Sequence, residues 1–163
     1  MIEKILHKKR LFALIVRRQF RKKSGINFFT SKKATQQFGF MKHKKNHFIK
    51  PHKHNKRLTR ILRTTEVILL LKGTLRVDFY NDKYKYLFSK KINERDIIML
   101  IHGGHGFKVL KNVEMIEVKQ GPYYLASDKV KFKAVDEKKN KFKKKAFLPS
   151  QLTLYYQKRH RMC

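Results

Sequence analysis

Hydrophobic and polar residues alternate with a period of two through the middle of the chain. In TLRVDFY, residues 74–80, the side chains of Leu75, Val77 and Phe79 fall on one face and polar or aromatic side chains on the other. This alternation is typical of a half-buried β-strand. The run before it, EVILLLKG, residues 66–73, is apolar and ends in a glycine. We therefore predict two strands joined by a tight glycine turn.

Other short segments of strand character follow at intervals of about eight to twelve residues, the spacing of all-β proteins. The strands predicted at residues 105–110 and 113–119 should pair as a hairpin through a Lys111-Asn112 turn. The series of strands is expected to end near GPYY. The further predicted strands are residues 11–16, 84–90, 96–100, 105–110 and 113–119. The pattern predicts an all-β fold, as a sandwich, jelly roll or barrel.

The length and charge of the chain suggest one domain with basic flanks. The 163 residues suit a single β-domain, predicted over residues 1–132, followed by a Lys-rich tail over residues 133–163. The formal net charge is +31, and residues 1–64 hold 20 Lys and Arg against one acid. Such charge attracts nucleic acid, anionic lipid or a phosphate-bearing metabolite without choosing among them, and an AT-rich coding bias explains the composition equally well.

Several protein classes are disfavoured by the sequence. No run of about eighteen apolar residues exists, so we expect no membrane span. The apolar run at residues 11–16 is closed by Arg17 and Arg18, too early for a signal peptide. The single cysteine is Cys163, which excludes a disulfide framework or a cysteine metal site within one chain. A cytoplasmic location is expected on these grounds.

The candidate chemistry lies in the histidines. Four of eight fall within residues 43–54, and His52 and His54 stand one residue apart. On a strand such a pair shares one face at about 7 Å spacing, from which two imidazoles can converge on a metal ion. Glu66, which opens an apolar strand, and His105, which follows two glycines, are the candidates for further ligands. The predicted centre is His52, His54, Glu66 and His105 around a divalent Fe, Mn, Ni or Zn ion, with positions left for water or substrate.

These residues resemble the cupin pattern over about residues 40–120. His52 and His54 match its His-x-His pair, Glu66 its acid six residues before Gly73, and ERDIIMLIHGGHGFKVL its second motif. Eleven residues separate His54 from Glu66, more than the pattern has. FGFMKHKKNHFIKPHKHN and TTEVILLLKGTLRVDFY look like small cupin-domain proteins often found among bacterial surface-polysaccharide genes. The resemblance implies a cupin-like double-stranded β-helix, the jelly-roll barrel, and a homodimer paired through edge strands.

The sequence leaves three functions open. A divalent metal could polarise a small polar or anionic substrate, such as a sugar or nucleotide sugar. Alternatively, His52 and His54 could act without metal as acid and base of a sugar ketoisomerase or epimerase, as in enzymes that resemble cupins. A third possibility is nucleic-acid binding by the basic flanks, where Phe and Lys interleave, although no recognised nucleic-acid motif is present.

Overall fold

The computed structural model describes residues 1–22, 24–124 and 127–136, and within them every regular element is a β-strand. The all-β prediction is confirmed. The predicted tail lies outside the described residues from position 137 onward, and the predicted domain boundary at residue 132 stays a prediction. The strands are β1 Ile2–His7, β2 Arg10–Val16, β3 Gly25–Phe28, β4 Gly39–Lys42, β5 Glu66–Tyr80, β6 Tyr86–Asn93, β7 Ile97–Leu100 and β8 Gly104–Lys119.

Six of these strands form one antiparallel sheet built around β5. Along one edge, β5 pairs with β8 from Glu66 to Tyr80. Along the other edge, its first part pairs with β7 and its second part with β6. The sheet continues from β7 through β2 to β1, while β3 and β4 form a separate hairpin. The large sheet curls into a half-barrel.

A bend in the middle of β5 replaces the two predicted hairpin turns, and both of those predictions are wrong. β5 continues through Gly73 and β8 continues through Lys111-Asn112, so the two turn signals face each other on paired strands. The register shifts three times between Leu70 and Leu75, which marks irregular, bulged pairing. Gly73 has φ of +89°, and a Cβ there would lie 1.9 Å from the carbonyl oxygen of Asn112. Glycine is needed because the two backbones touch.

The bulged pairing changes which positions of β5 face the core. Before the bend the side chains in the apolar core are Ile68 and Leu70, at even positions; after it they are Leu75, Val77 and Phe79, at odd positions. The even positions after the bend are also buried, but three of them, Thr74, Arg76 and Asp78, are polar or charged. Strict alternation would have turned the second half of β5 to the opposite face. The shift keeps one continuous apolar face on both sides of the bend. This face packs with residues of β1, β2, β6 and β7 to form the core.

The edge of β8 that faces away from β5 has no partner strand among residues 1–22, 24–124 and 127–136. In the described part of the chain, its backbone makes hydrogen bonds only with β5. Lys108 and Lys111 lie in its first half, and Glu114 and Glu117 lie in its second half. Two copies of this strand paired antiparallel would place the lysine half of each beside the glutamate half of the other. β8 also exposes six large apolar side chains: Phe107, Val109, Leu110, Met115, Ile116 and Val118.

The segment after β8 crosses the start of that strand. The ring of Phe132 lies 5.0 Å from the ring of Tyr80 and 4.8 Å from that of Tyr84, measured between centroids. The backbone N–H of Val135 donates to the hydroxyl of Tyr80 at 3.1 Å. Residues 127–136 thus cover one end of the half-barrel. Across the residues just described, no helix has the length and apolarity that a membrane crossing requires.

Candidate functional site

Glu66 and His105 meet at the covered end of the half-barrel. Glu66 opens β5, His105 is the second residue of β8, and Nε2 of His105 lies 2.9 Å from Oε2 of Glu66. Their side chains are 18% and 28% exposed, so the pair is shielded but reachable. The hydrogen bond from His105 is the largest influence on Glu66 and lowers the pKa of its carboxyl below the ordinary 4.5, against the opposing effect of burial.

The bend at Gly73 is what brings the two residues together. His105 pairs with Phe79, thirteen positions along β5 from Glu66. A flat ribbon would separate those positions by about 43 Å, at about 3.3 Å per residue. Residues opposite each other share a face, so His105 shares the face of Phe79, and Glu66 shares that of Ile68. Both faces belong to the core side, and the curl closes the gap between them.

Two cavities adjoin the pair, and both are lined by Glu66, Gly103 and His105. The larger has a volume of about 430 Å³ and the smaller about 140 Å³. Apolar side chains, among them Ile68, Met115 and Phe132, line the larger cavity beside the charged Glu117 and Lys129. The larger cavity is within the usual range for small-molecule sites, about 300–1,000 Å³.

Cations surround Glu66. Lys119 is its register partner on β8, and Lys129 lines the larger cavity; both favour its ionised form. Nζ of Lys119 lies 3.1 Å from Oδ2 of Asp128. That hydrogen bond, the largest influence, raises the pKa of Lys119. These cations, together with His105, therefore keep the Glu66 carboxylate ionised.

The smaller cavity adds residues that sequence reasoning did not select. Nε2 of His102 lies 3.5 Å from Oδ2 of Asp82 and 3.4 Å from Nη1 of Arg10. The His102 side chain is only 11% exposed and its ring meets that of Phe12 edge-on at 5.1 Å. Because the partners of Asp82, Arg10 in β2 and His102 in a loop, lie far from it along the chain, no local signal could have placed it here.

His52 and His54 lie apart from strands, and the prediction that they share a strand face is wrong. Residues 43–65 contain no strand, and both histidines are exposed. Their rings meet edge-on at 5.4 Å between centroids, and Nδ1 of His52 is 3.0 Å from the Lys50 carbonyl oxygen. The physical reason is local: this stretch has basic residues on both alternating faces and Pro51 lacks an N–H, so it offers a sheet neither an apolar face nor full pairing.

The four predicted metal ligands are therefore not brought together. Within residues 1–22, 24–124 and 127–136, no three His, Cys, Asp or Glu side chains are placed to hold a metal ion. Glu66 and His105 are in contact, but Nε2 of His105 is directed at the carboxylate. The donor arrangement of the described residues does not fit a metal centre, and the predicted metal ion stays a prediction. Comparison of the chain with protein-family models, curated proteins and solved structures gave no match.

Proposed function

We propose that the protein binds a small polar ligand in the 430 Å³ cavity and that His105, oriented by Glu66, exchanges a proton with it. The observation that carries the proposal is the 2.9 Å contact between these side chains at the junction of two cavities. A carboxylate paired with histidine beside a ligand-sized cavity is a recurrent acid–base arrangement. A cupin-like jelly roll, expected from the sequence motifs, is part of the same proposal.

The protonation states follow from the pair. Because the pKa of Glu66 is lowered, its carboxylate is ionised at neutral pH and accepts a hydrogen bond. Nε2 of His105 must then carry a proton, which leaves the lone pair of Nδ1 to accept one from a ligand. When Nδ1 is protonated, the imidazolium stays beside the Glu66 carboxylate and is stabilised by it. His105 is the proposed base and acid, and Glu66 is the positioning residue.

The lining of the cavity indicates the class of ligand. Ile68, Met115 and Phe132 offer apolar contact to a ring, while Lys129 and Glu117 offer one cation and one anion to its polar groups. A sugar phosphate or nucleotide sugar combines these properties. For a keto-sugar, His105 would take a proton from the hydroxyl-bearing carbon next to the carbonyl to give an enediolate. Return of that proton to the former carbonyl carbon, with the hydroxyl proton passing from one oxygen to the other, would give the aldose. No step of this proposal passes through a metal.

Deuterium exchange in D₂O tests the proposal, with fructose 6-phosphate as the keto-sugar probe and NMR as the readout. The wild-type protein should catalyse exchange at the carbon next to the carbonyl. His105→Gln should reduce the rate by about 10²–10⁴-fold, the usual contribution of a general base. Glu66→Gln should reduce it less and shift its pH profile, since the residue acts through His105. His54→Gln is the matched control, a histidine exposed outside the site, and should leave the rate unchanged.

Three results would contradict the proposal. Wild-type protein that catalyses no exchange would remove the proton-transfer role. Exchange that survives in His105→Gln but not in His54→Gln would instead assign the chemistry to the His-x-His pair. Exchange that stops with a chelator in wild-type protein would assign it to a metal centre.

A further inference from the structure

A separate cavity of about 600 Å³ lies at the bend of the β5–β8 ribbon. Its lining includes Gly73 and Thr74 of β5, Lys111 of β8, and Lys91 and Asn93 of β6. None of the described residues lines both this cavity and either of the two beside Glu66 and His105. We refer to it as the bend cavity.

Three polar side chains form a row across neighbouring strands at this cavity. Thr74 pairs with Asn93 of β6 on one side and with Lys111 of β8 on the other. Opposite residues project from the same face, and neighbouring strands lie about 4.8 Å apart. Lys91 is two residues before Asn93 and shares its face. The row and Lys91 together therefore present a hydroxyl, an amide and two ammonium groups on one side of the sheet.

Asp96 organises another part of the lining. It is 2% exposed, and its carboxylate accepts hydrogen bonds from Nη1 of Arg17 at 2.9 Å, from the backbone N–H of Arg18 at 2.9 Å and from that of Asn93 at 3.0 Å. This carboxylate is fully engaged, so its charge is compensated within the wall. It fixes the end of β2 and the turn after β6 on either side of the cavity.

The remaining charge in the bend cavity is positive and available. Among the described residues, the side chains of Arg18, Lys91 and Lys111 make no ion pair or hydrogen bond, and the Thr74 hydroxyl and Asn93 amide likewise have no partner. Glu94, the other acid among the described residues of the lining, has its carboxylate 3.8 Å from Nε of Arg95. Three free cations with neutral donors between them are suited to an anion with several acceptor oxygens.

We propose that the bend cavity binds the phosphate group of a small ligand. The row across β6, β5 and β8 supplies donors to its oxygens, and Arg18 supplies a further positive charge from the end of β2. This proposal does not depend on the acid–base role of His105, because the cavities are separate.

Titration calorimetry with inorganic phosphate and with glucose 6-phosphate tests the proposal. Lys91→Gln combined with Lys111→Gln should weaken binding at least tenfold. The matched control is Lys83→Gln combined with Lys85→Gln, which removes the same charge from an exposed turn and should change affinity less than twofold. Tighter binding of glucose 6-phosphate would assign the site to a phosphate ester, and equal affinity would assign it to free phosphate.

A neutral variant separates a built site from general attraction to a basic protein. Thr74→Val keeps the charge and nearly the volume of the side chain but removes the hydroxyl, and should weaken phosphate binding several-fold. His105→Gln should leave this binding intact. Equal losses in the two lysine pairs, no effect of Thr74→Val, or no phosphate binding by wild-type protein would each overturn the proposal.

Discussion

Gly73→Ala is expected to be among the most damaging single-methyl changes in the protein, because Gly73 makes the bend that positions both proposed sites. The residue has φ of +89°, a conformation that costs an L-residue about 1–2 kcal/mol. The added Cβ would also lie 1.9 Å from the Asn112 carbonyl oxygen and 3.0 Å from that of Lys111. Both neighbours are backbone atoms, so no side chain can swing aside to relieve the contact.

The steric part can be worked out from the geometry. Real Cβ atoms essentially never approach closer than 3.0 Å, so the Asn112 backbone must move by about 1.1 Å. The pairs that flank the bend, Lys72 with Glu114 and Thr74 with Lys111, would then lose hydrogen-bond geometry. Two such bonds at about 1 kcal/mol each bring the expected loss to about 3–4 kcal/mol. A typical domain has about 5–15 kcal/mol in total.

Urea unfolding followed by far-UV circular dichroism measures this loss, and Gly25→Ala is the control. Gly25 has a similar φ of +101°, but a Cβ there would meet no atom within 4 Å. Gly25→Ala should therefore lose only the conformational cost of about 1–2 kcal/mol. If the two variants lose equal stability, the close contact between β5 and β8 at the bend does not exist, and the explanation of how Glu66 reaches His105 is wrong.

Two further predictions concern acid stability and self-association. The pKa of Glu66 is lowered in the folded protein, so its contribution to the free energy of unfolding is present above pH 4.5, the ordinary pKa of the group, and is lost as the pH falls below that value. Glu66→Gln should therefore flatten the acid side of the profile of stability against pH, measured by urea unfolding. Parallel profiles of the variant and the wild-type protein would refute this. We also predict a homodimer formed through the open edge of β8, where Ile116 and Val118 are exposed. Replacing both residues with lysine, Ile116→Lys with Val118→Lys, should yield a monomer in light scattering after size exclusion. A wild-type protein that is already monomeric would count against that interface.

Much of the secondary structure was predictable from local pattern, but turns were not. The segment at residues 96–100 is a short apolar run and forms β7, Ile97–Leu100, as expected. Gly73 looked like a hairpin turn because glycine is needed wherever φ is positive, in a turn or in a bulge. Which of the two occurs depends on whether another backbone lies against it. The backbone that lies against Gly73 is that of Asn112, and the residues near Gly73 in the sequence give no indication of this contact.

The residues of the candidate site likewise include some that the local sequence placed correctly and some that it did not. Glu66 and His105 were selected because a carboxylate at an apolar strand and a histidine after two glycines are locally unusual, and the structure places them in contact. His52 and His54 were selected by their spacing, which has the expected meaning only on a strand. The residues around them lack the apolar alternation that a strand of this sheet requires, so the pair stays exposed.

The sequence by itself determined that the chain forms β-strands, that these strands bury one apolar face, and that positive charge is concentrated on the flanks. The alternation of apolar and polar side chains involves residues that are neighbours in the sequence, so a strand can be recognised from it without knowledge of the fold. Only the tertiary structure decided that Glu66 meets His105 and that Thr74, Asn93 and Lys111 form one row. Those contacts join positions far apart in the chain, and they depend on the curvature that the paired bend at Gly73 and Asn112 imposes on the sheet.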